Sequence, residues 1–392
     1  MENVSSSNGL EKRPRLRFPG FDESWDSVQL SDIASYRRAR KTAVKSEYVS
    51  TENMLQGFSG MEAYCDSSLI EGIAYFTGDT LIANIRPYLK KVWFATMNGV
   101  CSADVLAIQP IKVYPEFLYN MIAQDAFIEY VMSGVKGSKM PRGDKSHIMD
   151  YKTAIPKSDD EQIKITQFLH LLTLRITKMQ LLIDFLKKYK RGLLHDVLSE
   201  KIRFTKEEWT THKIGEFLQS KSIKQLPTAD APLMAFTATG GVCDKGERYD
   251  RGFLVKDASS KLYKRTDLND FIYSSNNLDV GSIGLNLYGS AVISDVYEIF
   301  SIKDADPWFI SGAIKQKAIM SRILKYRQGC LYGQYRIYAE DFLSVAIKVP
   351  SYEVQKKVGA AFSKINGKIT QEQIMLDCLE KARTFFLQQL FI

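Results

Sequence analysis

Hydrophobic residues recur at heptad spacing in two long segments of the chain. In each segment the apolar positions are three or four residues apart, and the second segment follows the first by 193 residues, as from Ile165 to Val358. The first ladder contains Ile165, Leu169, Leu172, Ile176, Met179, Ile183, Leu186, Lys190, Leu193 and Val197. The second contains Val358, Phe362, Ile365, Ile369, Glu372, Leu376, Leu379, Arg383, Phe386 and Leu390.

Composition alone does not produce this match. The chain is 45% hydrophobic, which would place about four or five apolar residues in each ladder of ten. The first ladder has nine and the second has eight, and a basic residue, Lys190 or Arg383, interrupts both at the same step. The pattern therefore predicts two copies of one unit, each ending in a long helix.

The strict heptad spacing further predicts that the two helices form a left-handed coiled coil. Because a whole globular segment separates them in the sequence, we expect antiparallel pairing. At 1.5 Å per residue, a helix from Ile165 to Val197 is about 48 Å long, a length typical of a spacer. The alternative is that the ladders are ordinary core helices of two domains. The polar residues between the ladder positions, such as Lys164, Lys178 and Lys188, favour the coiled coil.

The segments before the two ladders share an entry and then diverge. Arg17-Phe18, followed by Trp25, recurs as Arg203-Phe204 followed by Trp209. Short strand patterns with Gly, Asn and Asp turns come next, which indicates an α+β domain in each half. The predicted organisation is a flexible arm at 1–16, a first domain at 17–157, a first helix at 158–200, a second domain at 201–350 and a second helix at 351–392.

The starts of the two helices are also similar. Ser158 and Glu161 have the spacing of a capping box, in which each side chain bonds to the backbone N–H of the other residue. The second helix keeps a serine, Ser351, but has Val354 in place of the glutamate. A glutamine follows in both copies, Gln162 and Gln355.

Charge and cysteine content indicate the kind of partner and the cellular environment of the protein. The net charge of +8 and a pI near 9.0 modestly favour an anionic partner. Five scattered cysteines without a C-x-x-C pair indicate reduced thiols, with neither a disulfide framework nor a zinc site. The sequence contains no apolar run of about 18 residues and no signal-peptide pattern, so a cytoplasmic protein without membrane contact is expected.

The motifs of common enzyme classes are missing. The sequence has no G-x-x-x-x-G-K-[ST] phosphate loop, no G-x-G-x-x-G cradle and no G-x-S-x-G elbow. It also lacks the Asn or Asp followed by Pro-Pro and an aromatic residue that marks amino-methyltransferases. The four histidines are far apart. We therefore predict no catalytic residues, no metal site and no cofactor.

Basic and amide side chains instead cluster in loops. Arg and Lys bind phosphates and the guanine edge, whereas Asn and Gln bind the adenine edge, so such loops suit duplex DNA. Any one loop could equally be an ordinary solvated surface. Because such loops precede both long helices, binding is favoured. The predicted DNA-binding residues are Arg37, Arg38, Arg40, Lys41, Arg86, Lys136, Lys139, Arg142, Lys145, Lys264, Arg265, Asn276, Asn277, Arg327, Gln328, Gln334, Tyr335 and Arg336.

The duplicated order of these motifs resembles the DNA-specificity subunits of Type I restriction–modification enzymes. The resemblance rests on Arg17-Phe-Pro-Gly-Phe with Trp25, on Ile155-Pro156 with Glu161-Gln162, on the helix end Leu186-Lys-Lys-Tyr-Lys-Arg-Gly-Leu-Leu194, and on one repetition of the whole arrangement. It covers essentially the full chain. The second copy departs at Val354-Gln355 and at Ala382-Arg-Thr-Phe-Phe-Leu387.

The resemblance implies a fold and a function. Each α+β domain would be a target recognition domain that binds one half of a split duplex DNA sequence from the major groove. The two helices would be the antiparallel spacer between these domains. The chain would be non-catalytic and would dock two copies of a methyltransferase subunit and, through them, the restriction and translocase subunits. S-adenosylmethionine, ATP and Mg²⁺ would belong to those partners.

Two other classes of function remain open at this stage. In the first, the chain is a protein–protein scaffold whose coiled coil is the functional element and whose basic loops are incidental. In the second, it is an enzyme with an unfamiliar active site, which the missing motifs disfavour.

Overall fold

The computed structural model describes residues 13–137, 139–203, 205–238, 240–244, 261–276, 278, 282–331 and 334–391, with the backbone alone for Cys330, Leu331 and Gln334. The predicted arm therefore lies largely outside the described residues. The chain divides into two compact units. Unit 1 comprises Met1–Gln180 and Ile374–Ile392, and unit 2 comprises Leu181–Gln373. Each long helix thus contributes one half to each unit.

Unit 1 is an α+β domain built on halves of the two long helices. Its strands are β1 (Asp26–Gln29), β2 (Ala34–Tyr36), β3 (Arg40–Val44), β4 (Tyr48–Val49), β5 (Leu69–Tyr75), β6 (Thr80–Ala83), β7 (Val92–Phe94), β8 (Gly99–Cys101), β9 (Val105–Pro110) and β10 (Lys152–Ile155). Its helices are α1 (Leu30–Ile33), α2 (Pro115–Ile122), α3 (Asp125–Ser133), α4 (Lys145–Met149) and the first part of α5 (Asp159–Leu198).

Unit 2 has the same class of structure. Its strands are β11 (Thr210–Lys213), β12 (Leu218–Ser220), β13 (Lys224–Gln225), β14 (Ala235–Thr237), β15 (Gly241–Cys243), β16 (Tyr263–Thr266), β17 (Phe271–Ser274), β18 (Ile283–Leu285), β19 (Ala291–Ile293), β20 (Tyr297–Ile302), β21 (Gln328–Leu331), β22 (Gln334–Arg336) and β23 (Ala346–Val349). Its helices are α6 (Pro307–Ile314), α7 (Lys317–Ile323), α8 (Ala339–Ser344) and the first part of α9 (Tyr352–Leu390).

The strand pairing shows that the two units are copies. Unit 1 contains a four-stranded sheet in the order β2-β9-β6-β7, and the described residues of unit 2 contain one in the order β12-β20-β17-β18. In each unit, the strand that follows the entry pairs antiparallel with the strand that precedes the long helix, β1 with β10 and β11 with β23. The duplication predicted from the ladders is therefore present in the topology.

The ladder positions are the inward face of α5 and α9. All twenty are buried or half-buried, including Lys190, Glu372 and Arg383, whereas neighbouring polar positions such as Lys178 and Lys188 are exposed. A heptad stripe does this because positions three and four residues apart share one face of a helix. None of the helices in the described residues combines the length and apolar character that crossing a bilayer requires.

The two helices pair antiparallel within each unit, as predicted. In unit 1 the rings of Phe168 on α5 and Phe386 on α9 pack edge to face at 4.9 Å, while Arg383 Nε donates to Thr173 Oγ1 at 3.2 Å. In unit 2 Lys190 Nζ donates to Asn366 Oδ1 at 2.6 Å. An earlier residue on one helix thus meets a later residue on the other.

The basic interruptions of the ladders make equivalent contacts. Arg383 follows Lys190 by 193 residues, and Asn366 follows Thr173 by the same number. Each unit therefore contains one copy of the same cross-helix pair, a basic donor with a short polar acceptor. A polar pair at an inward position of a coiled coil can specify its register, because a shift along the helix leaves the buried donor unpaired.

Each domain core includes residues of both long helices. In unit 1, Ile165 and Leu169 of α5 and Leu387 and Leu390 of α9 belong to the cluster around Phe117 and Ile122. The ring of Phe391 packs against Phe117 at 4.9 Å. In unit 2 the equivalent cluster, around Phe309, includes Val197, Leu198, Val358 and Phe362.

A buried glutamine fixes the start of each long helix. In unit 1, Gln162 Oε1 accepts from the Tyr114 N–H at 2.9 Å, and its Nε2 donates to the Pro156 carbonyl at 3.2 Å. In unit 2, Gln355 makes the equivalent bonds, with the Asp306 N–H at 3.2 Å and the Pro350 carbonyl at 3.0 Å. Tyr114 and Asp306 are the N-caps of α2 and α6, so the same amide joins the spacer helix to the first domain helix in both copies.

The capping box at Ser158 is not formed as predicted. The Glu161 carboxylate instead accepts from Arg17 Nε at 2.7 Å and Nη2 at 2.8 Å, and from the Trp25 indole at 3.3 Å. The shared entry therefore competes with the helix cap for this carboxylate. In unit 2, Glu207 of the entry accepts from the Ser351 N–H and hydroxyl instead.

Removal of either buried glutamine should destabilise the domain that it serves. Gln162→Ala or Gln355→Ala leaves a backbone N–H and a carbonyl without their partner, at a cost of about 1–3 kcal/mol for each unsatisfied group. Urea unfolding of the full chain measures the loss. Gln167→Ala and Gln371→Ala, at exposed positions of the same helices, should leave the urea midpoint unchanged. Equal midpoints for all four variants would contradict the assignment.

Lys190 should give the protein a specific pH dependence. Burial, together with the charge of Lys315, lowers the pKa of Lys190 to about 8. Since the unfolded chain still binds this proton up to its ordinary pKa of about 10.4, the Lys190 contribution to stability rises as the pH rises from about 8 to 10. Lys190→Met removes this dependence.

The free energy of unfolding, measured for Lys190→Met and wild type between pH 7 and pH 10, tests this. The free energy of unfolding of the variant minus that of wild type should be largest at pH 7 and should decrease above pH 8. Lys178→Met, at an exposed position of the same helix, supplies the control and should show no such decline. A constant difference for Lys190→Met would contradict the assignment.

Candidate nucleic-acid interface

The basic loop of unit 1 lies against the segment that carries Arg86. The Arg86 N–H donates to the Pro141 carbonyl at 2.8 Å, and the Gly143 N–H donates to the Asn84 carbonyl at 3.0 Å. Lys136 and Arg142 exchange backbone hydrogen bonds across the loop at 3.0 and 3.1 Å. These bonds bring the backbone of Arg86 close to the loop from Lys136 to Arg142, which includes Lys139, although 50 residues separate Arg86 from Lys136 in the sequence.

Acidic partners hold part of this basic cluster. Lys136 pairs with Asp144, and Arg142 Nη2 lies 3.2 Å from Asp104 Oδ1. The bond from Lys136, with further bonds from Ser146 and His147, holds the pKa of Asp144 well below its usual range. The exposed Lys139 and Lys145 have no acidic partner among the described residues. These two amines are available to an external anion.

The predicted cluster at 37–41 divides into paired and unpaired cations. Arg37 makes a two-pronged ion pair with buried Asp79, with Nε and Nη2 each 3.0 Å from a carboxylate oxygen, and lies over the Phe76 ring at 4.7 Å. Arg40 pairs with Glu71 at 2.7 Å on the surface. Arg38 and Lys41 are exposed and have no acidic partner among the described residues.

Tyr36 connects this cluster with the basic loop. Its hydroxyl donates to the Lys145 carbonyl at 3.0 Å, and burial raises the pKa of Tyr36 well above its ordinary value. The neutral phenol therefore remains a donor at any physiological pH. The end of β2 at Tyr36, two residues before Arg38, and the start of α4 at Lys145 are thus held side by side.

In unit 2, the Glu298 carboxylate pairs with two of the predicted residues. Lys264 Nζ lies 3.0 Å and Arg336 Nη2 lies 3.4 Å from its carboxylate. Asn276 forms an isolated backbone bridge with Arg336. Arg265 pairs with Asp267 at 3.1 Å. Of the three basic residues, Lys264 is the least exposed, with 12% of its side chain accessible.

Four further predicted residues of unit 2 lie on or next to the hairpin of β21 and β22: Arg327, Gln328, Gln334 and Tyr335. The Arg327 guanidinium lies over the Tyr335 ring at 4.6 Å, and Arg336 lies over the Tyr338 ring at 5.0 Å. Gln328 Nε2 donates to Asp341 at 2.7 Å. Gln334 pairs through its backbone with Leu331, and the predicted residue Asn277 lies outside the described residues.

The two clusters occupy the same place in the two copies. Ile85 follows β6 and bridges to Arg142, just before α4. Asn276 follows β17 and bridges to Arg336, just before α8. The sequence did not reveal the acidic partners, nor Tyr88, whose side chain is 49% exposed beside Arg86. The position of Tyr88, two residues after the predicted Arg86, is the sequence signal that could have marked it.

The carboxylates near these basic clusters, such as Asp104, Asp144 and Glu298, are paired with Lys or Arg. Their geometry suits the orientation of basic side chains. The described residues bring together no group of three or more His, Cys, Asp or Glu side chains that could hold an ion.

Two proteins that are similar in sequence to this chain are specificity subunits. The chain is 22% identical over 430 aligned positions to the Type I restriction enzyme MjaVIII specificity subunit of Methanocaldococcus jannaschii, covering 97% of this chain and 93% of that one. It is 22% identical over 161 residues to the Type I restriction enzyme EcoDI specificity subunit of Escherichia coli. This match covers 39% of this chain and spans only 36% of the length of that relative. No protein-family model matches the chain.

Solved structures share the fold. The S subunit of a Type I restriction–modification system from M. genitalium aligns with a TM-score of 0.64 and 15% identity, covering 97% of this chain and 99% of that one. A chain from a structure on complex assembly and conformational transition of the type I R-M system aligns with a TM-score of 0.51 and 16% identity, over 95% of this chain and 98% of that one. The resemblance to Type I specificity subunits is therefore confirmed, and the predicted fold class with it.

Arg37 and Arg38 are adjacent, but only Arg37 should contribute strongly to the stability of the domain. Arg37→Ala leaves the buried Asp79 carboxylate without its ion pair. We expect a loss of about 3 kcal/mol, the lower end for a broken buried pair, because Arg37 remains 29% exposed. Arg38→Ala should change stability by less than about 0.5 kcal/mol. Urea unfolding of both variants measures this, and equal losses would contradict the difference in their environments.

Proposed function

We propose that the chain is the non-catalytic DNA sequence-recognition subunit of a Type I restriction–modification complex, with one half of a split target bound by each domain. The observation that carries the proposal is the repeated placement of a basic loop at the same position of two copied domains. The names of the relatives support it, since two matching proteins are specificity subunits. A protein that binds two half-sequences needs two similar binding surfaces.

The unpaired cations identify the phosphate-binding part of this surface. Phosphate contacts supply most of the affinity of a protein for DNA and no direct sequence information. Arg38, Lys41, Lys139 and Lys145 are exposed without an acidic partner among the described residues, so they suit this role. Arg37, bound to Asp79, supports the domain instead.

The long helices offer a surface for protein partners. In unit 2, Leu181 and Phe185 of α5 are 64% and 62% exposed, and Phe185 stacks on Tyr189 at 6.3 Å. In unit 1, Ile374 and Phe385 of α9 are 60% and 52% exposed. Apolar side chains grouped on a surface are typical of protein interfaces.

These apolar patches share one copied pair of residues, whereas Cys378 and Gly192 stand at the positions equivalent to Phe185 and Phe385. Ile374-Met375 follows Leu181-Leu182 by 193 residues, the interval between the two ladders. A surface that occurs twice fits a partner that binds twice. We therefore assign the patches to two methyltransferase subunits, through which the restriction and translocase subunits assemble. S-adenosylmethionine, ATP and Mg²⁺ belong to those partners.

DNA binding should follow the unpaired cations. With duplex DNA, log affinity should fall linearly with log salt, with a slope of about −0.9 for each phosphate contact. Lys139→Ala and Arg38→Ala should each reduce the magnitude of this slope by about 1 for every sequence tested. Lys178→Ala, on the exposed face of α5, is the matched control and should not change it.

The same titration separates the proposed function from a scaffold. If the wild-type chain does not bind duplex DNA at low salt, the proposal is wrong, and a scaffold with incidental basic loops is favoured. Methylation or cleavage of DNA by the purified chain alone would instead indicate an enzyme.

Partner docking should depend on the two apolar patches one by one. The double variant Leu181→Asp/Phe185→Asp should bind one methyltransferase subunit instead of two, as should Ile374→Asp/Phe385→Asp. A chain with all four changes should bind none, because a buried aspartate without a partner is strongly unfavourable. The mass of the complex in solution measures the ratio. Lys188→Asp, on an exposed position of α5, is the control, and an unchanged ratio in all variants would exclude these patches as the interface.

A further inference from the structure

Arg86 has a backbone conformation that residues other than glycine rarely adopt. Its φ of 52° lies in the left-handed region, and so does the φ of 55° at Lys90, four residues later. Between them lies a single 3₁₀ turn, Pro87–Leu89. Left-handed non-glycine residues cost energy and persist where the surrounding structure fixes them, often at ligand-binding positions.

Three backbone hydrogen bonds to two other segments fix this turn. The Arg86 N–H donates to Pro141, the Gly57 N–H donates to Leu89 at 3.1 Å, and the Phe58 N–H donates to Lys90 at 2.8 Å. Pro87 is buried beneath it. The turn is therefore a rigid platform, and its strained conformation is maintained by the fold.

The two strained residues differ in what their side chains do. Lys90 pairs with Asp125 at 2.7 Å. The exposed Arg86 guanidinium has no acidic partner among the described residues, and it lies in the cluster with Lys139 and Arg142. A fold that holds an arginine in a costly conformation without an internal partner leaves its five donors available to an external acceptor.

We propose that Arg86 is a specificity-determining residue of the first domain and recognises the major-groove edge of one guanine. This inference rests on the proposed function and adds one residue-level assignment to it. Arginine binds guanine O6 and N7 with two parallel hydrogen bonds, and the pair discriminates against other bases by about 1–3 kcal/mol, or roughly 5- to 150-fold. A rigid backbone favours such a pair because less freedom is lost on binding.

The strain itself provides the test. Arg86→Gly removes the side chain and relieves the left-handed conformation, so the melting temperature of the full chain should stay the same or rise. Lys90→Gly relieves the same strain at the other end of the turn and is the matched control. Arg86→Lys retains both the charge and the strain but cannot make the two-pronged bond.

Selection from a pool of random DNA duplexes, with the full chain and its methyltransferase partner, measures base preference for each variant. Wild type and Lys90→Gly should select the same sequence. Arg86→Gly and Arg86→Lys should lose preference at one guanine in one half of the target, by about 5- to 150-fold, and retain every other position. Arg86→Lys should also keep the salt dependence of wild type.

The outcomes are distinct. Full preference in Arg86→Gly would refute the assignment, as would an even loss at all positions or a lowered melting temperature, since either indicates a structural role. If wild type selects no sequence at all, the proposed function fails, and the assignment of Arg86 fails with it.

Discussion

The antiparallel packing of α5 against α9 is the interaction on which both domains depend. Each domain core is completed by residues from the helix that follows the other domain in the sequence. Phe391, at the end of the chain, packs on Phe117 of unit 1, and Leu390 lies in the same cluster. Val197 and Leu198, at the end of α5, are buried in the core of unit 2. The first domain therefore cannot bury its full apolar surface without α9.

This arrangement explains why polar groups lie at inward positions of the ladders. Leucine, isoleucine and phenylalanine give packing energy but tolerate several registers. Lys190 with Asn366, and Arg383 with Thr173, add a directional bond to each unit. Burying the charged Lys190 amine costs free energy, and the lowered pKa of Lys190 reflects this cost. Register matters here because the cores that include Val197 and Leu390 require particular residues at the helix ends.

Much of the architecture could be predicted from sequence, because a heptad repeat is a strong and local signal. The inward face and the two copies follow from it, and the antiparallel direction follows from the globular segment that separates the two helices in the sequence. The polar contacts could not be predicted in this way. Arg37 and Arg38 are adjacent and chemically identical, yet one binds buried Asp79 and the other is exposed. Glu161 has the spacing of a capping box but binds Arg17 and Trp25, which are distant in sequence. Such choices depend on which groups the fold brings together.

We propose that the two copied domains recognise two halves of one DNA target. The sequence motif that is methylated in the genome of cells carrying this chain and its methyltransferase partner tests this claim most directly. We expect two short specified sequences separated by a gap of fixed length in which any base is accepted. A single continuous motif, or a methylation pattern unchanged when the gene for this chain is removed, would contradict it.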